Sequence, residues 1–303
     1  MKQPACRSFR RSFRRPACRP RQPPLFASAA AIASPLPLLL LLLLAALCTA
    51  GAARADQPLW EVGVGAAVLR LPHYRGAEQA HTWLLPVPYA VYRGDIFKSD
   101  EDGTRARLFS SERIDLNLSL DASAPTRSRD NQARSGMADL PPTVEIGPNL
   151  NLNLARSGAL KLDLRLPLRA VFAVRSRSPA VGYSFAPRLN LDWRIHGWNL
   201  GLQAGPQWGS RERHALFYDV APGDATALRP AYTARGGFAG WDSTVALSRR
   251  SGNRWTAFYV TADSLSSATF ATSPLVKQRS SVSAGVAVAW VLKASTQRVP
   301  GGD

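Results

Sequence analysis

Apolar and polar residues alternate singly along much of the chain. In "TVEIGPNLNLNL", Val144, Ile146, Leu150, Leu152 and Leu154 share one face, and Glu145, Asn149, Asn151 and Asn153 share the other. In "LKLDLRLPLRAVF", Leu160, Leu162, Leu164, Leu166 and Leu168 oppose Lys161, Asp163, Arg165 and Arg169. A period of two belongs to an extended strand whose faces meet different surroundings. From Asp56 onward no long segment has a convincing helical period. Strands are predicted at 59–70, 82–92, 112–121, 143–154, 160–174, 182–195, 198–210, 237–250, 253–265 and 277–291.

Alternation alone fits a soluble sandwich as well as a membrane wall, so strand length and turn pattern must separate them. The strands run to about 10–14 residues, the reach of a tilted membrane-crossing strand and longer than the usual five or six. The connections alternate between short ones ("RGD", "SSE", "ARSG", "IHG", "RSGN") and long ones (72–81, 121–142, 211–236, 266–276). That asymmetry predicts an all-β fold: a closed antiparallel transmembrane β-barrel in the outer membrane, with the short turns periplasmic. Both termini then lie on the periplasmic side, which requires an even strand count. The obvious strands number ten, and a short hairpin within residues 95–109 (95–99 and 104–109, around "DEDG") raises the count to twelve.

Prolines and tryptophans refine this picture. Pro86 and Pro88 each remove a backbone donor from the second strand, and residues two apart address the same neighbour, so both gaps fall on one seam. The stunted third strand is the neighbour that loses least by it. Pro148, Pro167, Pro187 and Pro206 occur one per strand in four consecutive strands, and read as bulges or bends, or alternatively as an opening in the wall. The assigned turns put Trp60, Trp193, Trp198, Trp255 and Trp290 near the periplasmic rim and Trp83, Trp208 and Trp241 near the outer rim, as two aromatic girdles.

The formal net charge of +17 is inflated by nine Lys and Arg in the first 55 residues; without them residues 56–303 carry +8, which removes most of the case for nucleic-acid binding. After this basic block, "PLPLLLLLLLAALC" is too short to span a bilayer as a helix, and Ala53 and Ala55 suit an A-x-A cleavage site. Residues 1–55 are therefore expected to be a cleavable export signal, 56–291 the barrel and 292–303 a short tail. The basic region is long for such a signal, which a non-Met start near Leu25 or Leu36 would explain. Leu47 before Cys48 fits an acylation signal poorly. Cys6, Cys18 and Cys48 all precede Ala55, so the remaining chain can form no disulfide or thiolate metal site.

Few residues suggest chemistry. His73, His81, His196 and His214 lack metal-ligand spacing, no G-x-S-x-G or His–Ser arrangement is present, and no metal, cofactor or catalytic activity is expected. "RGD" at Arg93–Asp95 reads as a tight turn, and "SDEDG" at 99–103 lacks a full calcium-loop pattern. The functional candidates are the charges that alternation turns inward: Asp115, Glu145, Lys161, Asp163, Arg165, Arg169, Arg188 and Asp192. They either pair across a narrow interior or line water and set ion selectivity.

The segment "WEVGVGAAVLRLPHYRGAEQAHTWLLPVPYAVYRGDIF" resembles the opening of the MipA/OmpV family of MltA-interacting outer-membrane proteins. The likeness rests on a Gly-alternating first strand, the loop pair Tyr74 and Gly76, the Leu-Pro-x-Pro strand with Pro86 and Pro88, and the closing Tyr92, Arg93 and Gly94. It continues through "LFYDVAP" and a closing Ala/Val/Gly strand. His73 departs from the family's acidic residue before the tyrosine, and thirteen residues follow the terminal aromatic Trp290. The resemblance implies a non-enzymatic scaffold linking a lytic transglycosylase (a murein hydrolase) to a peptidoglycan synthase. Porin-like or adhesin-like roles of some relatives are the alternative.

Overall fold

The computed structural model describes residues 57–94, 97–100, 103–111, 113–174 and 180–299, with backbone only at 97–100, 103–107, 110 and 180. All belong to one compact unit, Ala46–Asp303. The expected export signal, residues 1–55, lies outside the described residues, as do Asp95, Glu101 and Asp102 of the two turn motifs.

The fold is all-β and antiparallel throughout. Its strands are β1 (Gln57–Pro58), β2 (Trp60–Pro72), β3 (Ala80–Arg93), β4 (Phe97–Asp100), β5 (Gly103–Ser110), β6 (Ile114–Ser123), β7 (Thr143–Arg156), β8 (Leu160–Ala173), β9 (Ala180–Phe185), β10 (Arg188–Ile195), β11 (Trp198–Gly209), β12 (Gly237–Ser251), β13 (Arg254–Ser264), β14 (Ser280–Ala294) and β15 (Arg298–Val299). Each strand from β2 to β9 pairs with the next in sequence, as do β10 to β14. In addition β14 pairs with β2, β8 with β10, and β11 with both β10 and β9. The expected strand at 182–195 is thus two segments, interrupted at Ala186–Pro187, sharing the same two neighbours. The segment after Trp290 is tied down: β14 continues to Ala294, and β15 pairs with β1.

Alternation sets the faces as the sequence predicts. Val64, Val68, Leu84, Leu168, Val245, Phe258, Val260, Val282 and Val286 stand exposed on the outer face, a belt far too apolar for a soluble sheet. Trp60, Trp193, Trp198, Trp208, Trp241 and Trp290 share that outer face by register. Trp255 does not: its ring lies 5.9 Å from that of Tyr89. Those residues sit on β13 and β3, with β14 and β2 between them, so the rings meet only across the concave side. Trp83 shares the face of Tyr89, and its ring lies 4.5 Å from that of His81. The expected girdles are therefore short of these two tryptophans.

The prolines resolve into two features. Arg93 N–H donates to the Leu59 carbonyl at 2.8 Å, and β3 keeps unbroken register with β2. Odd-numbered residues of β3 therefore direct their N–H groups to β2, and Pro86 and Pro88 face the other way. On that side, among the described residues, β3 pairs with β4 only through Tyr92↔Ser99 and Arg93↔Lys98. The missing donors lie on the short seam. Pro148, Pro167, Pro187 and Pro206 instead form one crease. At Gly147 and Gly205 a Cβ would collide with the carbonyls of Leu168 and Pro187, so glycine permits the neighbouring backbones to close in. Ladder pairing continues on both sides of the crease, so it is a bend and not an opening.

At the long-loop end the connections fold over the sheet. Residues 211–218 form one helix, α1 (Arg211–Tyr218), unforeseen in the sequence because its two turns carry no usable apolar period. Ser210 caps it, its Oγ accepting from Arg213 N–H at 3.3 Å. Tyr74, Leu140, Tyr218, Val220, Leu265, Phe270 and Leu275, drawn from four loops, form a buried apolar cluster.

Candidate functional site: the charged interior and its cap

The inward side chains form two tiers. Near the short turns, register places Asp192 opposite Lys161 and Asn190 opposite Asp163. Lys161 Nζ lies 3.2 Å from Asp163 Oδ2, and Arg165 Nη2 lies 3.8 Å from Asp163 and 3.7 Å from Asp192. Asn149 donates to Asn117 and Asn151, and Asn190 to Asp192, extending this tier as an amide ladder. Asp115 shares the inner face of β6 with Asn117. Asn117 Nδ2, Asn149 Oδ1 and Asn190 Oδ1 are buried with hydrogen-bonding capacity left over.

The second tier lies beneath the loops. Arg169 donates to Ser119 Oγ at 3.0 Å and pairs with Asp121 at 3.5 Å. Asp242 and Asp263 stand directly opposite each other on β12 and β13, an arrangement that repels unless cations intervene. Arg188 meets Asp242 at 3.2 Å, and Arg75 meets Asp263 at 2.7 Å. Gln207 joins the two halves, donating to Asp242 and accepting from Arg75, both at 2.7 Å. Glu145 is paired neither with Lys161 nor with Arg165; it accepts from Arg213 at 3.0 and 3.2 Å and from Ser184 Oγ at 2.6 Å. A small cleft of about 40 Å³ lies between Glu145, Arg169, Arg188 and Arg213.

Arg75 and Arg213 come from the cap, so charge pairs lock it onto the wall. Sequence reasoning missed these two, together with Asp121, Asp242 and Asp263. Strand parity could have found the three aspartates; no pattern marks which loop arginines turn inward.

The cap is itself rigidly built. Tyr218 stacks on Phe270 with centroids 3.8 Å apart, and the His214 ring packs on Phe270 at 4.6 Å. His214 Nδ1 donates to the Arg235 carbonyl at 2.7 Å. Burial holds the His214 imidazole down at about 4 and pushes the Tyr218 phenol up to about 12. Tyr218 O–H donates to the Arg75 carbonyl, and Tyr74 O–H to the Leu275 carbonyl. Burial raises the Tyr74 phenol and lowers the guanidinium of Arg134, which donates to the Phe217 carbonyl. Gly76 adopts φ +90° while its carbonyl accepts from Lys277 and Gln278, a conformation only glycine takes freely. The motif pair Tyr74 and Gly76 therefore serves the cap. His73, in the departing position, meets Asn131 Nδ2 through Nδ1 at 3.2 Å; burial and nearby His81 lower its imidazole.

At the opposite end Arg93 donates to Glu61 Oε1 at 2.9 Å and to the Pro58 carbonyl at 2.8 Å, and Arg250 holds the other Glu61 oxygen. Arg93 of the "RGD" turn is thus committed to an internal pair, and Tyr92 packs its ring against Gly94. Pro86 and Pro88 serve the wall. His196 occupies a tight turn at φ +49°. No three His, Cys, Asp or Glu among the described residues are grouped as metal ligands.

A family model described as MltA-interacting protein MipA matches residues 64–292. No curated protein sequence matches the chain. Among solved structures, a bacterial polysaccharide outer membrane secretin is similar with a TM-score of 0.43 at 7% identity, covering 78% of this chain and 99% of its own. An outer membrane channel from Pseudomonas putida F1 gives a TM-score of 0.41 at 11% identity, with coverages of 80% and 99%. Outer membrane phospholipase A from Escherichia coli gives 0.32 at 10%, with coverages of 80% and 95%.

Proposed function

The chain belongs to the MltA-interacting protein MipA family, and on that premise we propose a non-enzymatic outer-membrane scaffold: a closed barrel that does not conduct. Counting β9 and β10 as one strand, the pairings from β2 to β14 make twelve, and the β14–β2 and β8–β10 ladders support closure. The exposed apolar belt fits lipid, and the short turns fit a periplasmic face. The observation that carries the reading is the interior itself. Glu145, Lys161, Asp163, Arg165, Arg169, Arg188 and Asp192 lie in short-range pairs, and the cap is pinned across one end by Arg75 and Arg213. Charges committed to one another support a reading without conduction or acid–base catalysis.

The family description names an interaction with MltA, which supports the reading that the partner is a murein hydrolase, and with it a peptidoglycan synthase, met at the periplasmic turns. Affinity capture from detergent extracts checks this. Recovery of a peptidoglycan hydrolase is expected, and repeated capture with none contradicts the scaffold. The channel reading is favoured by the spare hydrogen-bonding capacity of the interior amides Asn117, Asn149 and Asn190. It requires ions to pass the pairs as well.

A further inference from the structure

One outward patch at the short-turn end has the wrong composition for a surface that meets only acyl chains. Gly252 and Asn253 join β12 to β13, so Arg249 and Arg254 flank a single turn. Register sets Arg249 opposite Trp198 and Arg254 opposite Trp290. The Arg249 guanidinium lies 5.3 Å from the Trp198 ring centroid. Parity puts all four on the outer face: Arg254 with Phe258 and Val260, Arg249 with Val245, and Trp290 with Val286. Lys293, opposite exposed Val62, adds a third cation on the same face.

All three cations are exposed, and none forms an ion pair with a described residue. The described carboxylate at this end of β2, Glu61, is buried and turned inward to Arg93 and Arg250. The cap differs, because there exposed Glu78, Asp130, Asp139 and Glu212 mingle with exposed arginines.

We infer that this patch, Trp198, Arg249, Arg254, Trp290 and Lys293, binds the phosphate of an anionic phospholipid headgroup. The inference rests on the membrane-spanning reading above. Tryptophan settles at the headgroup level, which fixes the depth of the patch. A guanidinium offers paired donors matched to phosphate oxygens. Two arginines astride one turn can take one headgroup together, while the turn itself is too small to seat a folded protein, whose stable interfaces need about 800 Å² per partner.

The test uses the full barrel purified in detergent, with native mass spectrometry against a mixture of phosphatidylglycerol and phosphatidylcholine. Phosphatidylglycerol adducts are expected to dominate. The preference should fall about fivefold in R249Q and about thirtyfold in R249Q/R254Q, and stay unchanged in R235Q, which alters an exposed arginine of the cap. Heat-modifiable migration of each variant separates loss of the patch from loss of the fold. Equal retention of both lipids by a heat-modifiable barrel overturns this inference alone, as does an undiminished preference in the double variant. Migration that never depends on heating instead removes the spanning reading beneath it. Binding of a soluble acidic polymer or protein at these arginines, without lipid preference, also overturns it.

Discussion

Glu61 is 1% exposed and shared between Arg93 and Arg250, so its charge is held where water cannot replace a lost partner. Glu61→Gln should destabilise the barrel by about 2 kcal/mol, since it leaves two guanidiniums facing a neutral group at a half-open rim. Arg93→Ala should cost less, because Arg250 remains to satisfy the carboxylate. Urea midpoints of the gel-mobility transition check the order; equal costs would contradict a shared carboxylate. At this scale the sequence was partly legible. Parity placed Asp163, Arg165 and Arg169 inward correctly, because every second residue of an unbroken strand keeps its face. Trp83 and Trp255 misled because tryptophan's position along a strand suggests an interface whichever face it occupies. Glu145 misled because its partner, Arg213, lies in a loop without periodicity.

The elements with the least regular sequence yield two expectations. The cap depends on neutral His214. Its imidazole sits near 4 when folded and near 6.5 when unfolded, so the unfolded cap binds the proton first. Cap stability is then complete above about pH 6.5, falls as pH drops toward 4, and falls no further through this group below that. The full loss is on the order of 3 kcal/mol. Limited proteolysis of the loops between pH 7 and pH 4 should show the change, and His214→Gln should flatten it; a wild-type cap equally resistant at both pH values would refute it. The second expectation concerns β3. Pro86 and Pro88 present no donors along a sparsely paired edge, which guards it against strand addition. Pro86→Thr/Pro88→Thr should preserve heat-modifiability yet promote dimers detectable by cross-linking; an unchanged monomer would show the edge is covered otherwise. The wall was readable because its signal is local. The cap was not, since Tyr74, Tyr218 and Phe270 meet only after three separate loops are brought together.

For the whole molecule, alternation, strand length and turn asymmetry jointly indicated an outer-membrane barrel, and the family match agrees. What they left undecided was whether the inward charges close the interior, because pairing depends on distances that no periodicity encodes. Here two short-range pairs, Arg75–Asp263 at 2.7 Å and Arg213–Glu145 at 3.0 Å, join cap to wall. Single-channel recording in planar bilayers addresses that closure directly. The intact barrel should show no discrete conductance, and Arg75→Ala/Arg213→Ala, which frees the cap, should introduce irregular openings. Steady unitary steps from the unaltered protein, shifting toward cation preference in Arg165→Glu, would contradict a closed interior and make it a channel.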